Sequence, residues 1–403
     1  MPPLDGYTPK PCPSCGSHDS FHMLSGRHKP VSSTVVFDTP AEAKDIPSGD
    51  IDLACCRNCG LIFNRIFDNA LARVSASYES SQAGSAHFNA FARNLVNDWV
   101  TRYDLKGKTV LEVGSGQSEF LVEMIKGGIG HGIALDPLAV ENDVPEAFRD
   151  RITVVAADYG PEHADIEADA LVTRHTLEHV GDVSGFLKTA AAWSRKHAGK
   201  PILLEVPGAD RILAEGAFWD IWFEHCNYFT VGSITRAFRL AGMDVTRAEL
   251  VYDGQYILVE AHASTSDAPV VLDDAGAEVA QCEAFEKTFA AAIDTCHAKL
   301  RGMVADGGPV VIWQAAAKTV GLSSWLGPDA PFACAVDLNA RRHGFFLPPF
   351  GIAIRAPADL TQIQPRHVVL MNPVYEKEVG AELVRLGVTG AHLQTIDRLC
   401  APN

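Results

Sequence analysis

The chain has 403 residues, of which 47% are hydrophobic, and a formal net charge of -16. This length predicts two or three domains. The acidic charge argues against nucleic acid or an anionic membrane surface as a partner, although a local basic pocket for a phosphorylated small molecule is compatible with it. The sequence has neither an apolar stretch of membrane-spanning length nor a signal-peptide pattern, which predicts a cytoplasmic protein without membrane contact.

Half of the ten cysteines lie within the first sixty residues. Four of them form two C-x-x-C pairs: Cys12, Cys15, Cys56 and Cys59. Four thiolates at this spacing are the ligand set of a closed tetrahedral zinc site, which leaves no position for water or substrate. Cys55 is an alternative ligand, but only Cys56 keeps the spacing with Cys59. Disulfide bonds are the other alternative, which a cytosolic compartment disfavours. We therefore predict structural zinc.

A polar segment at 78–88 and an amphipathic helix at 89–99 follow the cysteine-rich lobe. Such a loop ahead of a sheet can close over a ligand that the sheet binds. Tyr78 is then a candidate contact to the cationic or carboxylate part of that ligand. A surface linker with one packed tyrosine is the alternative.

The next segment is an apolar strand from Thr109 that breaks into a glycine-rich turn and continues at helical spacing. Gly114 and Gly116 leave the backbone bare where a ligand lies against the chain. Glu119 replaces the third glycine of a dinucleotide fingerprint and opposes a pyrophosphate at the helix N-terminus. Together with Glu112 it favours S-adenosylmethionine, which carries a sulfonium and an amino acid group instead of phosphates.

Two further strands end in carboxylates that suit the same cofactor. Asp136, which is followed by Pro137, would accept hydrogen bonds from the ribose hydroxyls. Asp158 would bind the adenine amino group, with Tyr159 beside the ring. This order of strand ends predicts a doubly wound α/β sheet, and another nucleotide-binding fold is the alternative.

A fourth strand, beginning at Ala170, runs into Arg174, His175 and a Leu-Glu-His triplet. This stretch resembles the segment after the fourth strand of class I methyltransferases, where the triplet opens the next helix. Arg174 and His175 are accordingly expected at the cofactor. His179 is a candidate for catalysis, and a helix-capping role is its alternative.

Polar residues lie among aromatic ones between positions 219 and 230, after a fifth strand. Aromatic surroundings disfavour the charged form of His225 and leave a neutral imidazole that can act as a base, although Glu224 opposes this. A core histidine bonded to the backbone is the alternative. Asn227 and Tyr228 would orient a substrate or close local turns.

These motifs together resemble the bacterial S-adenosylmethionine-dependent sugar C-methyltransferases, which build branched deoxysugars. The four cysteines match the zinc ligands of that family, the loop from Glu112 to Gly116 matches its cofactor site, and Glu224-His225 matches its catalytic pair. The resemblance covers nearly the whole chain. It implies an α/β protein with three parts: a small zinc-binding lobe at 1–75, a class I (Rossmann-like) methyltransferase domain at 76–265, and a second Rossmann-like α/β domain at 266–403.

The resemblance also implies a reaction and a substrate. His225 would remove a proton next to the carbonyl of a nucleotide-linked keto-deoxysugar. Glu224 would orient its ring or contact a sugar hydroxyl, and Asn227, His179 or a backbone N–H would receive the oxyanion. The substrate would be bound by Tyr228 and by three cations near its diphosphate: Lys318, Arg341 and Arg342. Exposed arginines without a ligand are the alternative for the last two.

Trp222 departs from the family pattern, which has a tyrosine two residues before the Glu-His pair. An indole cannot relay a proton or accept a hydrogen bond, although its position keeps it in the predicted catalytic site. Gln314 also replaces a glycine of the family near Lys318. The sugar, the methylated atom and the acceptor class are therefore open.

Three other functions remain in consideration. A zinc-ribbon methyltransferase of ribosomal RNA is disfavoured by the acidic charge. A scaffold that binds the cofactor without catalysis would explain Trp222. Oxygen or nitrogen methylation of a small natural product would use His225 on a hydroxyl or amine. We predict a monomer, because no exposed apolar stripe calls for a partner.

Overall fold

The computed structural model describes residues 2–72, 85–266 and 270–401. In this part of the chain the strands are β1 (Ser20–Pro30), β2 (Ser48–Cys56), β3 (Ile62–Asn64), β4 (Thr109–Val113), β5 (His131–Leu135), β6 (Ile152–Val155), β7 (Ala170–Arg174), β8 (Ile202–Pro207), β9 (Asn227–Tyr228), β10 (Met243–Val251), β11 (Tyr256–Ala263), β12 (Val310–Trp313), β13 (Phe332–Val336), β14 (Phe346–Leu347), β15 (Ile352–Arg355), β16 (His367–Leu370) and β17 (His392–Thr395).

Helices separate most of these strands. They are α1 (Pro40–Lys44), α2 (Ala86–Arg102), α3 (Glu119–Lys126), α4 (Val183–Lys196), α5 (Asp210–Glu215), α6 (Val231–Leu240), α7 (Gly276–Ala305), α8 (Ala317–Leu326), α9 (Leu360–Ile363), α10 (Glu376–Arg385) and α11 (Ile396–Cys400). Within the described residues, none of the helices has both the length and the apolar character needed to cross a membrane.

The middle sheet has the strand order β6-β5-β4-β7-β8-β11-β10. The first five strands are parallel, and β11 and β10 are antiparallel additions. Apolar cores lie on both faces, one with Trp99 of α2 and one with Trp193 of α4. Since β4 has β5 on one side and β7 on the other, the chain reverses its direction of winding there. Loops after these strands therefore meet at one edge, where such sheets bind ligands.

The sequence prediction for the residues after β7 is wrong in one respect. The triplet Leu177–His179 does not open a helix but forms a separate 3₁₀ turn. Helix α4 begins at Val183, because the Asp182 side chain caps it by accepting a hydrogen bond from the Gly185 N–H at 2.9 Å. The triplet is thereby held at the edge of the sheet instead of being drawn into the helix.

The N-terminal sheet has the order β1-β2-β3-β9 and is antiparallel throughout. Its last strand, β9, comes from the polar and aromatic segment far along the chain. Ile62 pairs with Tyr228 and Phe63 pairs with Asn227. The sheet of the cysteine-rich lobe therefore crosses the domain boundary predicted at residue 75, and it holds the segment that carries His225.

The C-terminal sheet has the order β14-β15-β13-β12-β16-β17, and only β14 is antiparallel to its neighbour. One large apolar core joins this sheet to the rest of the protein. It contains Met23 of β1, Trp219, Phe289 of α7 and Ile312 of β12. This shared core brings the loops after β12 and β16 to the segment around His225.

Candidate active site

A cavity of about 450 Å³ lies where the loops of the three sheets meet. One wall follows β7, a second is the segment between α5 and β9, and a third follows β12 and β16. Predicted site residues supply much of its lining: His175, His179, Trp222, Glu224, His225, Asn227, Tyr228, Lys318 and Arg342.

His225 lies between aromatic rings on one wall of this cavity. Its ring centroid is 4.6 Å from that of Trp222, 4.8 Å from His179 and 6.1 Å from Tyr228. Burial lowers the pKa of His225 well below its ordinary value, and the nearby cationic or protonatable groups of His179, His175 and Lys318 act in the same direction. The imidazole is therefore neutral at neutral pH, as a base must be before it takes a proton.

Glu224 is buried and fixed from the N-terminal lobe. Ser33 donates to Glu224 Oε1 from its hydroxyl and from its backbone N–H, the latter at 3.3 Å. Within the described residues, Glu224 Oε2 is buried and has no hydrogen-bond partner. Glu224 therefore presents one fixed oxygen to the lobe and keeps the other for the cavity that it lines.

The backbone of Glu224 also orients His179. His179 Nδ1 lies 2.9 Å from the Glu224 carbonyl oxygen, which can only accept a hydrogen bond. The proton of the neutral ring is therefore on Nδ1, and Nε2 carries a lone pair. In this tautomer Nε2 has no hydrogen to donate, and the oxyanion role of His179 stays a prediction.

Asn227 and Tyr228 brace the loop that carries His225. Asn227 Nδ2 donates to the Val180 carbonyl at 2.8 Å. The Tyr228 hydroxyl accepts from the Trp222 N–H at 3.2 Å and donates to the Trp222 carbonyl at 3.1 Å. The Tyr228 contacts close a local turn, whereas the Asn227 contact reaches across 47 residues to the segment after β7.

Arg174 and His175, predicted at the cofactor, are paired with a buried carboxylate. Arg174 Nη2 and His175 Nε2 lie 2.6 Å and 2.9 Å from the same Glu205 oxygen. Burial alone would lower the pKa of His175, but Glu178 and Glu205 outweigh it and raise the pKa to about 9. His175 is thus an imidazolium between two carboxylates.

The glycine-rich turn meets Asp136 at the edge of the middle sheet. Gly114 has φ +73°, and a Cβ there would lie 2.0 Å from Thr176 Oγ1, so this position requires glycine. Gly116 has φ +50° and open space at its Cβ position. Its N–H donates to Asp136 Oδ2 at 3.1 Å, and the Leu138 N–H donates to Oδ1 at 2.8 Å. Asp136 therefore lies beside exposed backbone of the glycine-rich turn, and each of its carboxylate oxygens can accept a further hydrogen bond.

The other predicted cofactor residues are in unlike environments. Burial raises the pKa of Glu112 to about 8, and in the described structure its Oε2 is buried without a partner. The strand expected to reach Asp158 ends at Val155, and Asp158 is exposed. Tyr159 packs on Phe186, with ring centroids 5.0 Å apart. Exposed Pro137 follows Asp136.

Tyr78 lies outside the described residues. Ser85, the first residue described after it, lines the cavity and caps helix α2 by accepting from the Phe88 N–H at 3.2 Å. Helix α2 therefore begins three residues before the predicted start at 89 and enters the cavity wall at its N-terminus.

The predicted substrate cations are in unlike environments. The Lys318 ammonium contacts the Asp220 carboxylate, to which Arg211 Nη2 donates at 2.7 Å. Burial lowers the pKa of Lys318, although Asp220 opposes the shift. Arg342 is buried and donates to the Ala315 carbonyl at 2.6 Å. Arg341 is exposed and is not part of the cavity lining, so the structure separates the two neighbouring arginines.

The sequence predicts that the segment from Asn372, which follows a buried strand, borders the substrate cleft, but it does not single out Gln255 as a lining residue. The hydroxyls of Tyr252 and Tyr375 are 2.7 Å apart, and Gln255 Nε2 donates to Asn372 Oδ1 at 3.0 Å. These pairs tie the β10–β11 turn to the segment after β16. Asn372, Tyr375 and Gln255 line the cavity.

Two family models match the chain. A methyltransferase domain matches residues 88–248, and a C-methyltransferase C-terminal domain matches residues 269–395. C-methyltransferase NovU of Streptomyces niveus is 26% identical over 399 residues, which cover 91% of this chain and 90% of NovU. The chain is an S-adenosylmethionine-dependent methyltransferase. The resemblance to the C-methyltransferases and the predicted α/β fold class are thus confirmed.

Two solved structures of methyltransferases are also similar to this methyltransferase. The 1,6-didemethyltoxoflavin-N1-methyltransferase of Burkholderia thailandensis, with bound S-adenosylhomocysteine, is 15% identical at a TM-score of 0.35 and matches 45% of this chain and 82% of its own. The magnesium protoporphyrin IX methyltransferase of Synechocystis PCC 6803 is 13% identical at a TM-score of 0.35 and matches 45% of this chain and 84% of its own.

The methyltransferase also contains a compact cluster of four cysteines. Cys12 Sγ lies 3.6 Å from Cys59 Sγ, and Cys15 Sγ lies 3.5 Å from Cys56 Sγ. All four sulfurs lie within 4.8 Å of one another, a group that could hold a metal ion. Tetrahedral zinc with thiolate bonds near 2.3 Å separates its sulfurs by roughly 3.8 Å, so the donor set fits zinc. Cys55 is not part of this cluster.

Proposed function

We propose that this methyltransferase transfers the methyl group of S-adenosylmethionine to a carbon atom of a nucleotide-linked keto-deoxysugar, through an enolate that His225 generates. The observation that carries the proposal is the neutral, buried imidazole in a cavity beside the cofactor edge of the sheet. Thr176 packs against Gly114 and directly follows His175, which lines the cavity. The glycine-rich turn of the predicted cofactor site therefore adjoins the cavity that contains His225.

Carbon methylation requires a base because a C–H bond next to a carbonyl is not nucleophilic. His225 takes that proton, and the electron pair of the C–H bond forms the enolate. The enolate carbon then bonds to the sulfonium methyl while the C–S bond breaks and S-adenosylhomocysteine leaves. The neutral imidazole of His225 and its exclusion from water favour the first step, and positioning governs the second.

The enolate oxygen needs a hydrogen-bond donor. Trp222 Nε1 is buried without a partner in the described structure, and Trp222 lines the cavity beside His225. The Asn227 amide is engaged with the Val180 carbonyl, and His179 Nδ1 with that of Glu224. Trp222 is therefore the donor that we assign to the oxyanion, in place of Asn227 and His179.

The cofactor supplies an electrophilic methyl group when it is bound. Spare lone pairs of Asp136 suit its ribose hydroxyls, and the unpartnered oxygen of Glu112 suits its ammonium group. The open space at Gly116 lets the ligand lie against the backbone. Asp158 and Tyr159 stay predictions for the adenine, and Tyr78 stays a prediction for the methionine part.

A phosphorylated acceptor is supported by the cations on the C-terminal side of the cavity. Arg211, Lys318 and Arg342 line it; Lys318 contacts Asp220, and Arg211 pairs with both Asp220 and Glu215. Arginine and lysine in this arrangement suit a diphosphate.

The monomeric state and the cytoplasmic location stay predictions from the sequence.

We assign a structural zinc ion to the four-cysteine cluster. Strand β3 follows Cys59 by three residues and pairs with β9, which begins two residues after His225. Arg236 of α6 also donates to the Cys59 carbonyl at 2.9 Å. An ion that holds the two C-x-x-C pairs would therefore stabilise the strand that closely follows the base.

The test is mass spectrometry of reactions with S-adenosylmethionine and a panel of nucleotide-linked 4-keto-deoxysugars in deuterated water. Wild type should add one methyl group and, without cofactor, should exchange deuterium into the sugar. His225→Ala should lose both activities, whereas His392→Ala, an exposed histidine outside the cavity lining, should keep them. Methylation without exchange at carbon would contradict the enolate and indicate oxygen or nitrogen transfer. No product on any sugar would contradict the acceptor class.

A further inference from the structure

Three ligand-type side chains converge inside the cavity, apart from the cysteine cluster. They are Glu178, His179 and His225, whose donor atoms all lie within 4.8 Å of one another. We propose that these residues form a second metal site, which binds a late first-row transition ion such as Zn²⁺ or Co²⁺. Two imidazoles and one carboxylate are a common ligand set for such ions, and they suit Mg²⁺ or Ca²⁺ poorly.

Glu178 is the observation that points to a cation. It is 2% exposed, and within the described residues neither of its carboxylate oxygens has a hydrogen-bond partner. Its backbone carbonyl is engaged with the Cys226 N–H at 2.9 Å, so the side chain is held toward the cavity that it lines. The His175 imidazolium lies 3.6 Å from Oε1 and offsets part of the charge, whereas Oε2 is buried without such a neighbour in the described part of the chain and is the oxygen that a further cation would meet.

The two histidines lie close together at the same part of the cavity. His179 donates from Nδ1 to the Glu224 carbonyl, and its Nε2 therefore carries the lone pair. A histidine that ligates a metal is usually held in this way, by a backbone carbonyl at its other nitrogen. The His225 ring centroid lies 4.8 Å from that of His179 on the same cavity wall. Two imidazoles and one carboxylate thus converge on one part of the cavity.

Two cations oppose an ion at this site. His175 Nδ1 lies 3.6 Å from Glu178 Oε1, and Lys318 is close enough to influence His225. Their charges weaken binding without blocking it, because Glu178 Oε2 faces no such partner. We therefore expect a reversible site that is much weaker than the four-cysteine cluster, which carries the stronger thiolate ligands.

An ion bound here has a consequence that rests on the proposed function. The lone pair of His225 would then be committed to the metal and could not take a proton. The ion should therefore inhibit both deuterium exchange and methylation. A mild chelator should restore both activities while leaving the cysteine cluster loaded.

The experiment is a titration with Co²⁺ of the full chain, purified with zinc in its cysteine cluster. One Co²⁺ should bind with the visible absorption of imidazole and carboxylate ligands, without the near-ultraviolet charge-transfer band of thiolate ligands. Glu178→Gln and His179→Gln should each weaken binding at least about tenfold, since each removes one ligand. Glu224→Gln is the matched control, because this buried cavity residue is outside the trio, and it should bind Co²⁺ like wild type.

Absence of the absorption in wild type, or equal affinity in both ligand variants, would overturn the metal site. Retained cofactor binding by the variants shows that they are folded. Binding is measured without turnover, so failure of the sugar assay leaves this result standing. Conversely, deuterium exchange into the sugar by chelator-treated wild type tests only the proposal that His225 is the base. Activation by Co²⁺ would overturn the inhibitory role and the assignment of His225 as a free base.

Discussion

Ser33 donates two hydrogen bonds to one carboxylate oxygen of Glu224, across 191 residues of sequence. The contact joins the N-terminal lobe to the residue beside the proposed base. The pairing of Phe63 with Asn227 joins the same two parts through their backbones. The cysteine-rich lobe is therefore a structural support of the cavity, because it fixes both the side chain before His225 and the strand after it.

Ser33→Ala should lower turnover by about tenfold and stability by roughly 1–3 kcal/mol, the cost of leaving a buried charged acceptor short of a donor. The Glu224 side chain would keep only the backbone N–H of residue 33. Turnover and urea unfolding measure the two effects. Ser32→Ala is the matched control, since the Ser32 hydroxyl contacts the Thr34 N–H instead. Equal losses in both variants would contradict a specific role of Ser33.

Cys59→Ser should remove the zinc and lower the unfolding temperature, because the free energy of metal binding is part of the folding free energy. It should also reduce methylation, since the lobe holds β9. Cys55→Ser should keep one zinc ion per chain, because Cys55 lies outside the cluster. Elemental analysis and thermal unfolding decide the matter. Full activity of a zinc-free Cys59→Ser protein would contradict the support role.

Much of the fold could be predicted from local pattern. The strand before Gly114, the glycine-rich turn and the two C-x-x-C pairs are each contained in a few neighbouring residues, so their chemistry is readable in sequence. The predicted cysteine set is the one that clusters. The same locality explains why Asp136 could be placed beside the turn, since ends of adjacent parallel strands meet.

The remainder depended on contacts between distant segments. Nothing near Ser33 in the sequence indicates Glu224, and a strand as short as β9 has no period to detect. The resemblance to class I methyltransferases predicts that Leu177–His179 opens a helix, whereas the cap at Asp182 decides where the helix begins. Whether Arg341 or Arg342 turns inward is likewise set by packing, not by residue type.

The pH dependence of deuterium exchange should reflect the low pKa of His225. Burial favours the neutral ring, so the exchange rate should stay constant as the pH falls from 8 to about 6.5, the ordinary value for histidine, and should decline only below it. Exchange measured by mass spectrometry across this range gives the profile. A midpoint at or above pH 6.5 would show that His225 is not the base or is not desolvated.

His175 should stabilise the fold in a defined pH window. Its pKa is raised to about 9 in the folded protein, so its protonated form is favoured by folding. The stabilisation is complete below the unfolded value of about 6.5 and is lost as the pH rises through 9. Relative to His175→Gln, wild type should be more stable by on the order of 2 kcal/mol at pH 6 and by little at pH 10. Urea unfolding at both pH values tests this, and a difference that is independent of pH would contradict the ion pair with Glu205.

Trp222 provides the sharpest test of the proposed oxyanion donor. Trp222→Phe keeps an aromatic ring against His225 but removes the indole N–H, and loss of one such donor lowers kcat by about 10² to 10³. Trp222 lies against His225 and is not among the residues assigned to the cofactor, so the affinity for the cofactor should not change. Trp222→Tyr offers a hydroxyl donor in the same wall and should recover part of the rate. If the phenylalanine and tyrosine variants are equally slow, the indole serves packing alone; if both are as fast as wild type, the enolate oxygen is stabilised elsewhere in the cavity.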